Sequence, residues 1–185
     1  MRALDRLRRA REQGGFFLIE AMVAILIFAL GILGLVAMGG TAVSSQSDAQ
    51  YRTEASSLAD AIAGEIAVGI NRSNCSAGAS ALCEATKAAS LLTFAHQPNP
   101  PPSTVPAPCA FDGDDLTAVS APTVFPLLDR AANGTPTPGL PGATAANQQI
   151  YIEPAGNFNR VVITLCWRTA SDSAWRRHTL VTYVN

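Results

Sequence analysis

An uninterrupted apolar segment near the N-terminus constrains this chain more than any other feature of the sequence. Residues 16–43 form a run of 28 positions without Lys, Arg, Asp or Pro, and Glu20 is the one ionisable residue among them. A bilayer core of about 30 Å requires about 20 apolar residues in a helix. A helix in the core of a soluble protein rarely stays apolar on every face over such a length. The sequence therefore predicts a membrane-spanning helix over residues 16–43.

The flank before this segment indicates its orientation. Residues 1–15 carry five arginines against Asp5 and Glu12, a net charge of +3. Positively charged flanks of membrane helices remain in the cytoplasm, which predicts a cytoplasmic N-terminus, a single pass and a periplasmic C-terminal domain. A basic stretch can instead bind nucleic acid, but its position directly before a membrane segment favours a topology signal.

A pair of small residues separates the basic flank from the apolar run. In a secretory signal peptide the small-residue cleavage site follows the apolar region, whereas Gly14-Gly15 precedes it here. The letters GFFLIE at residues 15–20 resemble the class III signal of type IV pilins and pseudopilins, usually written G-F-T-L-x-E. Phe17 departs from the usual Thr or Ser, at a position that varies among those proteins.

This resemblance implies a processing route and a role for each residue of the signal. It implies that a prepilin peptidase cleaves between Gly15 and Phe16 on the cytoplasmic side and removes residues 1–15 as a leader. Phe16 then becomes an N-methylated N-terminus, and residues 16–43 stay in the mature protein as a transmembrane and assembly helix.

Glu20 is predicted to form a charge pair during assembly. An ionised carboxylate within a membrane helix is costly, and such residues usually have a partner or a function. The resemblance implies that the partner of Glu20 is the N-terminal amine of Phe16 on a neighbouring subunit, which would set the axial offset between subunits. The alternative is a solvated carboxylate near the lipid headgroups that pairs with nothing.

A one-sided pattern follows the apolar run and predicts that the helix continues. Over residues 44–71 the apolar positions recur at steps of three and four, which is typical of an amphipathic helix; they are Ala55, Leu58, Ala59, Ile62, Ile66 and Ile70. Gly69 and Asn71 offer a C-terminal stop. We therefore expect one helix from Phe16 to about Ile70, with its second half packed against a domain formed by residues 72–185.

Alternating side chains late in the chain predict a small antiparallel sheet. In residues 160–168 one face carries Val161, Ile163, Leu165 and Trp167. This alternation places Trp167 in the core or against the helix. Residues 175–184 form a second strand that pairs with the first as a hairpin, and residues 149–153 form a third. The predicted fold class is α+β, and the resemblance implies a pilin-like arrangement of a long N-terminal helix on a small sheet.

Four cysteines, all after the apolar segment, indicate disulfides in an oxidising periplasm. Four cysteines allow three connectivities. Cys75 and Cys83 lie close together in a small polar loop and can meet without long-range folding, so we pair them locally. That leaves Cys109 paired with Cys166.

The segments between the helix and the strands predict mostly loops. Residues 71–83 form a stapled loop, and residues 84–94 contain helix formers. Residues 97–108 hold six of the twelve prolines, which excludes a helix or a central strand and favours a stiff surface loop over a partner's ligand. Residues 131–149 are rich in Ala, Gly, Thr and Pro and predict another long loop.

Chemistry at an active site is not expected. His96 and His178 have no Ser, Cys or Asp at a recognisable motif spacing, and no CxxC, GxxxxGK[ST] or HExxH motif occurs. Each histidine is interpreted as a surface residue. The acidic letters of residues 112–115 do not match the spacing of an EF-hand, so solvated aspartates in a turn are favoured over a calcium site. We predict neither an enzyme nor a cofactor or metal site.

The charge that remains after processing limits the partners. Without the five arginines and two acidic residues of the leader, eight basic and twelve acidic residues remain, a net charge of −4. That charge gives no electrostatic case for general nucleic-acid binding. The partners that the resemblance implies are major and minor pilins through the N-terminal helix, the prepilin peptidase, the inner-membrane assembly platform and membrane lipid.

Three functions are compatible with these features. The first is a minor pilin of a type IV pilus, with effects on motility, adhesion or DNA uptake. The second is a minor pseudopilin of a type II secretion system, and the third is an uncleaved single-pass membrane binding protein. Residues 27–35, 52–55 with 58–60, Asn71 and residues 163–167 look similar to the PilV minor pilins, which favours the first. That finer resemblance leaves out residues 72–148.

Overall fold

Helices lead the chain and strands follow. The computed structural model describes residues 14–75, 80–99, 109–112, 124–133, 139–153 and 158–184. Three helices are present in these ranges, together with a short 3-10 helix and a three-stranded sheet. In chain order they are α1 (Gly14–Gly69), α2 (Ala81–Leu92), α3 (Phe125–Asn133), the 3-10 helix (Ala145–Asn147), β1 (Gln149–Glu153), β2 (Arg160–Trp167) and β3 (Arg176–Tyr183). The predicted α+β class is confirmed.

Helix α1 belongs to two compact units, one that extends to Ala49 and one that begins at Gln50. It ends at Gly69, within one residue of the expected end. A Cβ atom at Gly69 would lie 2.8 Å from the Phe94 ring, so glycine leaves room for that ring. Just beyond the helix, the Asn71 side chain accepts a hydrogen bond from the backbone N–H of Ser73 at 2.9 Å. An Asx turn of this kind competes with helical hydrogen bonding.

The second unit is built around the apolar face of α1. Five residues of this face, and Ile70 directly after the helix, are at most 5% exposed, and all six share one hydrophobic cluster with β1, β2, α2 and α3. Burying each large aliphatic side chain contributes about 1.5–3 kcal/mol. The six are Ala55, Leu58, Ala59, Ile62, Ile66 and Ile70, the positions that the periodicity predicts. Trp167 is 1% exposed in the same cluster, as its alternation in the sequence predicts.

The sheet has the order β1-β2-β3 with antiparallel neighbours. Glu153 lies opposite Arg160 in the first pair, and Arg160 lies opposite Tyr183 in the second. The three predicted strands and the hairpin are therefore confirmed. Strand β2 is buried on both faces, whereas β3 alternates between half-buried and exposed residues.

Two helices differ from the sequence-based expectation. Helix α2 begins at Ala81 because Ser80 is its N-cap, with the Ser80 hydroxyl accepting a hydrogen bond from the Cys83 N–H at 3.1 Å. Cys83 therefore lies in the first turn of a helix rather than in a loop. Helix α3 continues to Asn133, so the loop predicted from residue 131 begins later. Arg130 of α3 pairs with Glu54 of α1 at 2.8 Å, a long-range contact that the local sequence does not indicate.

Candidate functional site

Within the described part of the chain, the largest group of exposed apolar side chains lies on the first part of α1, which we call the apolar surface. It consists of sixteen large side chains, each at least 45% exposed. Among the described residues α1 is the one helix that is long and apolar enough to cross a membrane. Isolated soluble proteins expose contiguous apolar patches of only a few hundred Å², so this surface requires an apolar medium or a partner. Its members are Phe17, Leu18, Ile19, Met22, Val23, Ile25, Leu26, Ile27, Phe28, Leu30, Ile32, Leu33, Leu35, Val36, Met38 and Val43.

Glu20 is the one ionisable residue between Glu12 and Asp48. Its side chain is exposed, and no hydrogen bond or ion pair to it occurs within the described part of the chain. Phe16 precedes it by four residues in the same helix, and residues four apart lie one above the other on one helix face. A free amine at Phe16 would therefore lie one turn from this carboxylate in its own chain. Glu20 remains available to a partner outside the chain.

The predicted cleavage site lies in the first turn of α1. Gly15 and Phe16 have helical backbone there, while the burial of both residues and the Phe16 side chain are outside the description. Glycine disfavours helix by about 1 kcal/mol, so the pair Gly14-Gly15 lowers helix propensity next to the predicted cleavage site.

The glycines of the apolar surface have open space around them. A Cβ atom built at Gly31, Gly34, Gly39 or Gly40 would have no heavy atom within 4 Å. No packing among the described residues requires glycine at these positions. Glycine here suits either a softer helix or the close approach of another helix.

The four cysteines form the two bridges that we paired from the sequence. Cys75 bonds to Cys83 across a Cα–Cα distance of 4.8 Å, and Cys109 bonds to Cys166 across 6.1 Å. Cys166 is fully buried on the central strand. The Gln148 side chain supports this position, because its amide donates to the Cys166 carbonyl and accepts from the Cys166 N–H, both at 3.1 Å.

The interpretation of His96 as a surface residue is wrong. Its side chain is fully buried, its Nε2 lies 3.0 Å from the Ala145 carbonyl oxygen, and its backbone forms an antiparallel bridge with Ile150. The physical reason is that residue 96 lies alongside β1, which covers it. His178 is half-buried on β3.

Metal-ligating and acidic residues do not gather in the described part of the chain. Three or more His, Cys, Asp or Glu side chains do not come together anywhere in the described ranges. Asp112 is exposed, and Asp114 and Asp115 lie outside the described residues. The interpretation of residues 112–115 as solvated aspartates remains a prediction.

The β2–β3 hairpin has a cationic end that the sequence patterns do not indicate. The Arg168 guanidinium carbon lies 5.0 Å from the Trp175 ring centroid. The Asp172 carboxylate accepts hydrogen bonds from Arg176 at 2.9 Å and from the Thr169 hydroxyl at 2.7 Å. These bonds lower the pKa of Asp172 from 3.8 to about 2, and the bond from Arg176 has the larger effect. The grouping of these arginines at one end of the hairpin can be recognised only once the strand register is known.

Comparison with known proteins found no match: no protein-family model, no curated protein and no solved structure is similar to this chain. The features that bear on function are therefore the GFFLIE motif at residues 15–20, the apolar surface and the arrangement of the second unit.

Proposed function

We propose that this chain is a minor pilin of a type IV pilus, made as a precursor and processed between Gly15 and Phe16. The observation that carries the proposal is the position of the GFFLIE signal at residues 15–20. It joins a basic leader to a helix whose large apolar side chains are exposed. A helix that later buries one face in an antiparallel α+β unit supports a pilin-like fold.

In this proposal the apolar surface contacts first membrane lipid and then the helices of other pilins. It first holds the subunit in the inner membrane, with the N-terminus in the cytoplasm and the second unit in the periplasm. It is then covered by the helices of major and minor pilins when the assembly platform moves the subunit out of the lipid. Contact with lipid tails and contact with neighbouring apolar helices are similar in free energy, so a subunit can pass from one to the other.

Glu20 supplies the position of the subunit along the filament. An ionised carboxylate within a membrane helix is costly, and a positively charged amine of a neighbouring Phe16 offsets that cost. The amine exists only after the leader is removed. Processing therefore creates the group that Glu20 recognises, and an unprocessed neighbour lacks it.

The processing step tests the proposal directly. In cells with an active prepilin peptidase, mass spectrometry of the membrane fraction should find the mature chain beginning at methylated Phe16. Gly15→Leu should leave the chain at full length, because a bulky side chain at the cleaved bond blocks the peptidase. Gly14→Leu, the adjacent glycine, is the matched control and should still be processed. A wild-type chain that keeps residues 1–15 beside a working peptidase would refute the pilin assignment.

The Glu20 variant separates processing from assembly. Glu20→Ala should be cleaved and remain in the membrane, yet its abundance in sheared pili should fall about tenfold or more, since an unmatched amine costs at least about 1.4 kcal/mol in such surroundings. Asp60→Ala, which removes an exposed carboxylate from a later part of the same helix, should assemble normally. Equal abundance of both variants would leave Glu20 without this role.

The same samples distinguish the alternative. A minor pseudopilin of a type II secretion system would share the processing and the Glu20 effect. Its processed form would stay in the cell envelope, and its loss would stop protein export rather than reduce surface fibres. Recovery of the processed chain in sheared pili, with export intact in a deletion strain, supports the pilus assignment.

A further inference from the structure

The outer face of the β2–β3 hairpin carries an unusual group of side chains, which we call the arginine–tryptophan face: Arg168, Trp175 and Arg177. Trp167 pairs with Arg176, and Cys166 pairs with Arg177. Extending this register places Arg168 opposite Trp175. Because side chains alternate between the two faces of a sheet, Arg168, Trp175 and Arg177 share the face that points away from the core residue Trp167.

Arg168 is held in place before any partner arrives. Its guanidinium stacks at 5.0 Å from the Trp175 ring centroid, and its backbone N–H donates to the Pro141 carbonyl at 2.8 Å. Gly142, at φ +62, packs so tightly that a Cβ atom there would clash with the Arg168 carbonyl. Stacking uses the flat face of a guanidinium and leaves its N–H edge free for bidentate bonding to an oxyanion. A positioned side chain also loses less entropy on binding.

The charge of this face is not neutralised within the described chain. Residues 160–184 contain four arginines and a single acidic residue, Asp172. Asp172 binds Arg176 through two bonds, at 2.9 and 3.2 Å. Glu153 pairs with Arg160 at 3.0 Å. Arg168 and Arg177 are exposed, and neither has a carboxylate partner in the described ranges.

The rest of the outer face of β3 adds contact area beside these charges. Thr179, Val181 and Tyr183 follow Arg177 at alternate positions. Val181 is 43% exposed and Tyr183 is 56% exposed. Arg, Trp and Tyr are the residue types that contribute most to binding free energy at protein interfaces. A strand that exposes them at the edge of the described sheet provides a continuous strip from a cationic end to an aromatic end.

We propose that this strip, from Arg168 and Trp175 to Tyr183, is a docking surface for a partner protein. That partner presents carboxylates to Arg168 and Arg177 and an apolar side chain to Val181 and Tyr183. One observation favours an acidic protein over a nucleic acid. Within the described part of the hairpin, the two guanidiniums of Arg168 and Arg177 lack a carboxylate partner, whereas nucleic-acid affinity grows with the number of phosphates that are neutralised. The inference goes beyond the proposed function, because that function assigns the N-terminal helix and leaves this face unassigned.

Site-specific photocrosslinking in living cells tests the proposal with the full-length chain. A photoreactive amino acid replaces Thr179, which is exposed in the middle of the strip. We expect a discrete cross-linked product whose partner peptide, sequenced by mass spectrometry, contains Asp or Glu close to the linked residue. The Arg168→Ala/Arg177→Ala double variant should reduce the yield of this product about tenfold or more, as expected for loss of two charge pairs at an interface.

Matched controls make the outcomes decisive. The Arg52→Ala/Arg72→Ala double variant changes the net charge equally and should retain the product. A non-reducing gel should show both disulfides in every variant. Arg177→Glu should abolish the product, and replacing the partner's acidic residue with Lys should restore it.

Three results would overturn the proposal. They are the absence of a product, a product that the double variant leaves unchanged, and Arg168- and Arg177-dependent binding of a labelled single-stranded or duplex oligonucleotide. None of these would affect processing at Gly15, so the two proposals stand or fall separately.

Discussion

The two parts of α1 have similar apolar residues and opposite surroundings. Ile27 is 63% exposed, whereas Ile62 of the same helix is fully buried. The difference lies in the placement of polar residues. From residue 21 to residue 43 every face is apolar, but further along the helix the apolar residues keep to one face. Uniform apolarity suits a surrounding medium, and one-sided apolarity suits a single packed domain. The distribution of polar residues around a helix therefore indicates what surrounds the helix better than its total hydrophobic content does.

The largest expected effect is the loss of the long-range disulfide, which only the second unit contains. Cys109→Ala/Cys166→Ala should lower the free energy of unfolding by about 4 kcal/mol in the chain-entropy model, because the bridge closes a sequence separation of 57. Cys75→Ala/Cys83→Ala, with a separation of 8, should lower it by about 2.5 kcal/mol. Both tryptophans of the chain, Trp167 and Trp175, lie in this unit, so denaturant titration followed by tryptophan fluorescence measures its unfolding. Equal losses would contradict the model.

The next effect compares one substitution in the two parts of α1. Ile62→Ala should destabilise the second unit by about 3 kcal/mol, because it leaves a cavity in the core. Ile27→Ala should change the same unfolding transition by less than about 0.5 kcal/mol. Tryptophan fluorescence in detergent micelles measures both. A comparable loss for Ile27→Ala would mean that the apolar surface supports the second unit after all.

A smaller effect is expected for the ion pair that joins α1 to α3. The Glu54 and Arg130 side chains are 32% and 37% exposed, so solvent screens their attraction, and such a pair contributes about 0.2–1 kcal/mol. A double-mutant cycle with Glu54→Gln and Arg130→Gln, measured by denaturant unfolding, should give a coupling free energy in this range. A value above about 2 kcal/mol would show that solvent does not screen the pair.

The smallest effect concerns Asp172 and should appear as a dependence on pH. Its pKa is lowered from 3.8 to about 2 by hydrogen bonds from Arg176 and Thr169. A lowered pKa in the folded state stabilises the fold above the ordinary pKa, and that contribution is lost as the pH falls through the folded value. The unfolding midpoints of wild type and Asp172→Asn should therefore differ above pH 3.8 and converge toward pH 2. A difference that is constant with pH would contradict the assignment.

Much of the fold could be predicted because the informative patterns are local. Alternation in residues 160–167 and periodicity in residues 55–70 depend on neighbours in sequence, and both gave correct elements. The disulfide pairing followed from the short separation of Cys75 and Cys83. Helix α3 was missed because its nine residues include Pro126 and offer too few turns for a periodic pattern.

The remaining features depend on contacts between distant residues. His96 is buried because Ile150 lies beside it, and no neighbouring residue in sequence indicates this. The stacking of Arg168 on Trp175 depends on the register of a hairpin, which alternation alone does not specify. For the candidate site, the motif at residues 15–20 was visible in the sequence. The arginine–tryptophan face required the structure.

The order of the elements along the chain has a consequence for synthesis. The ribosome makes α1 first, yet the strands that cover its buried face come last. Each strand pairs with its neighbour in sequence, so the sheet itself forms from local contacts and should fold quickly. Until β1 and β2 are made, however, Leu58 and Ile62 lack the strand residues that share their hydrophobic cluster. We therefore expect a nascent chain that lacks these strands to expose the apolar face of α1 to chaperones and proteases.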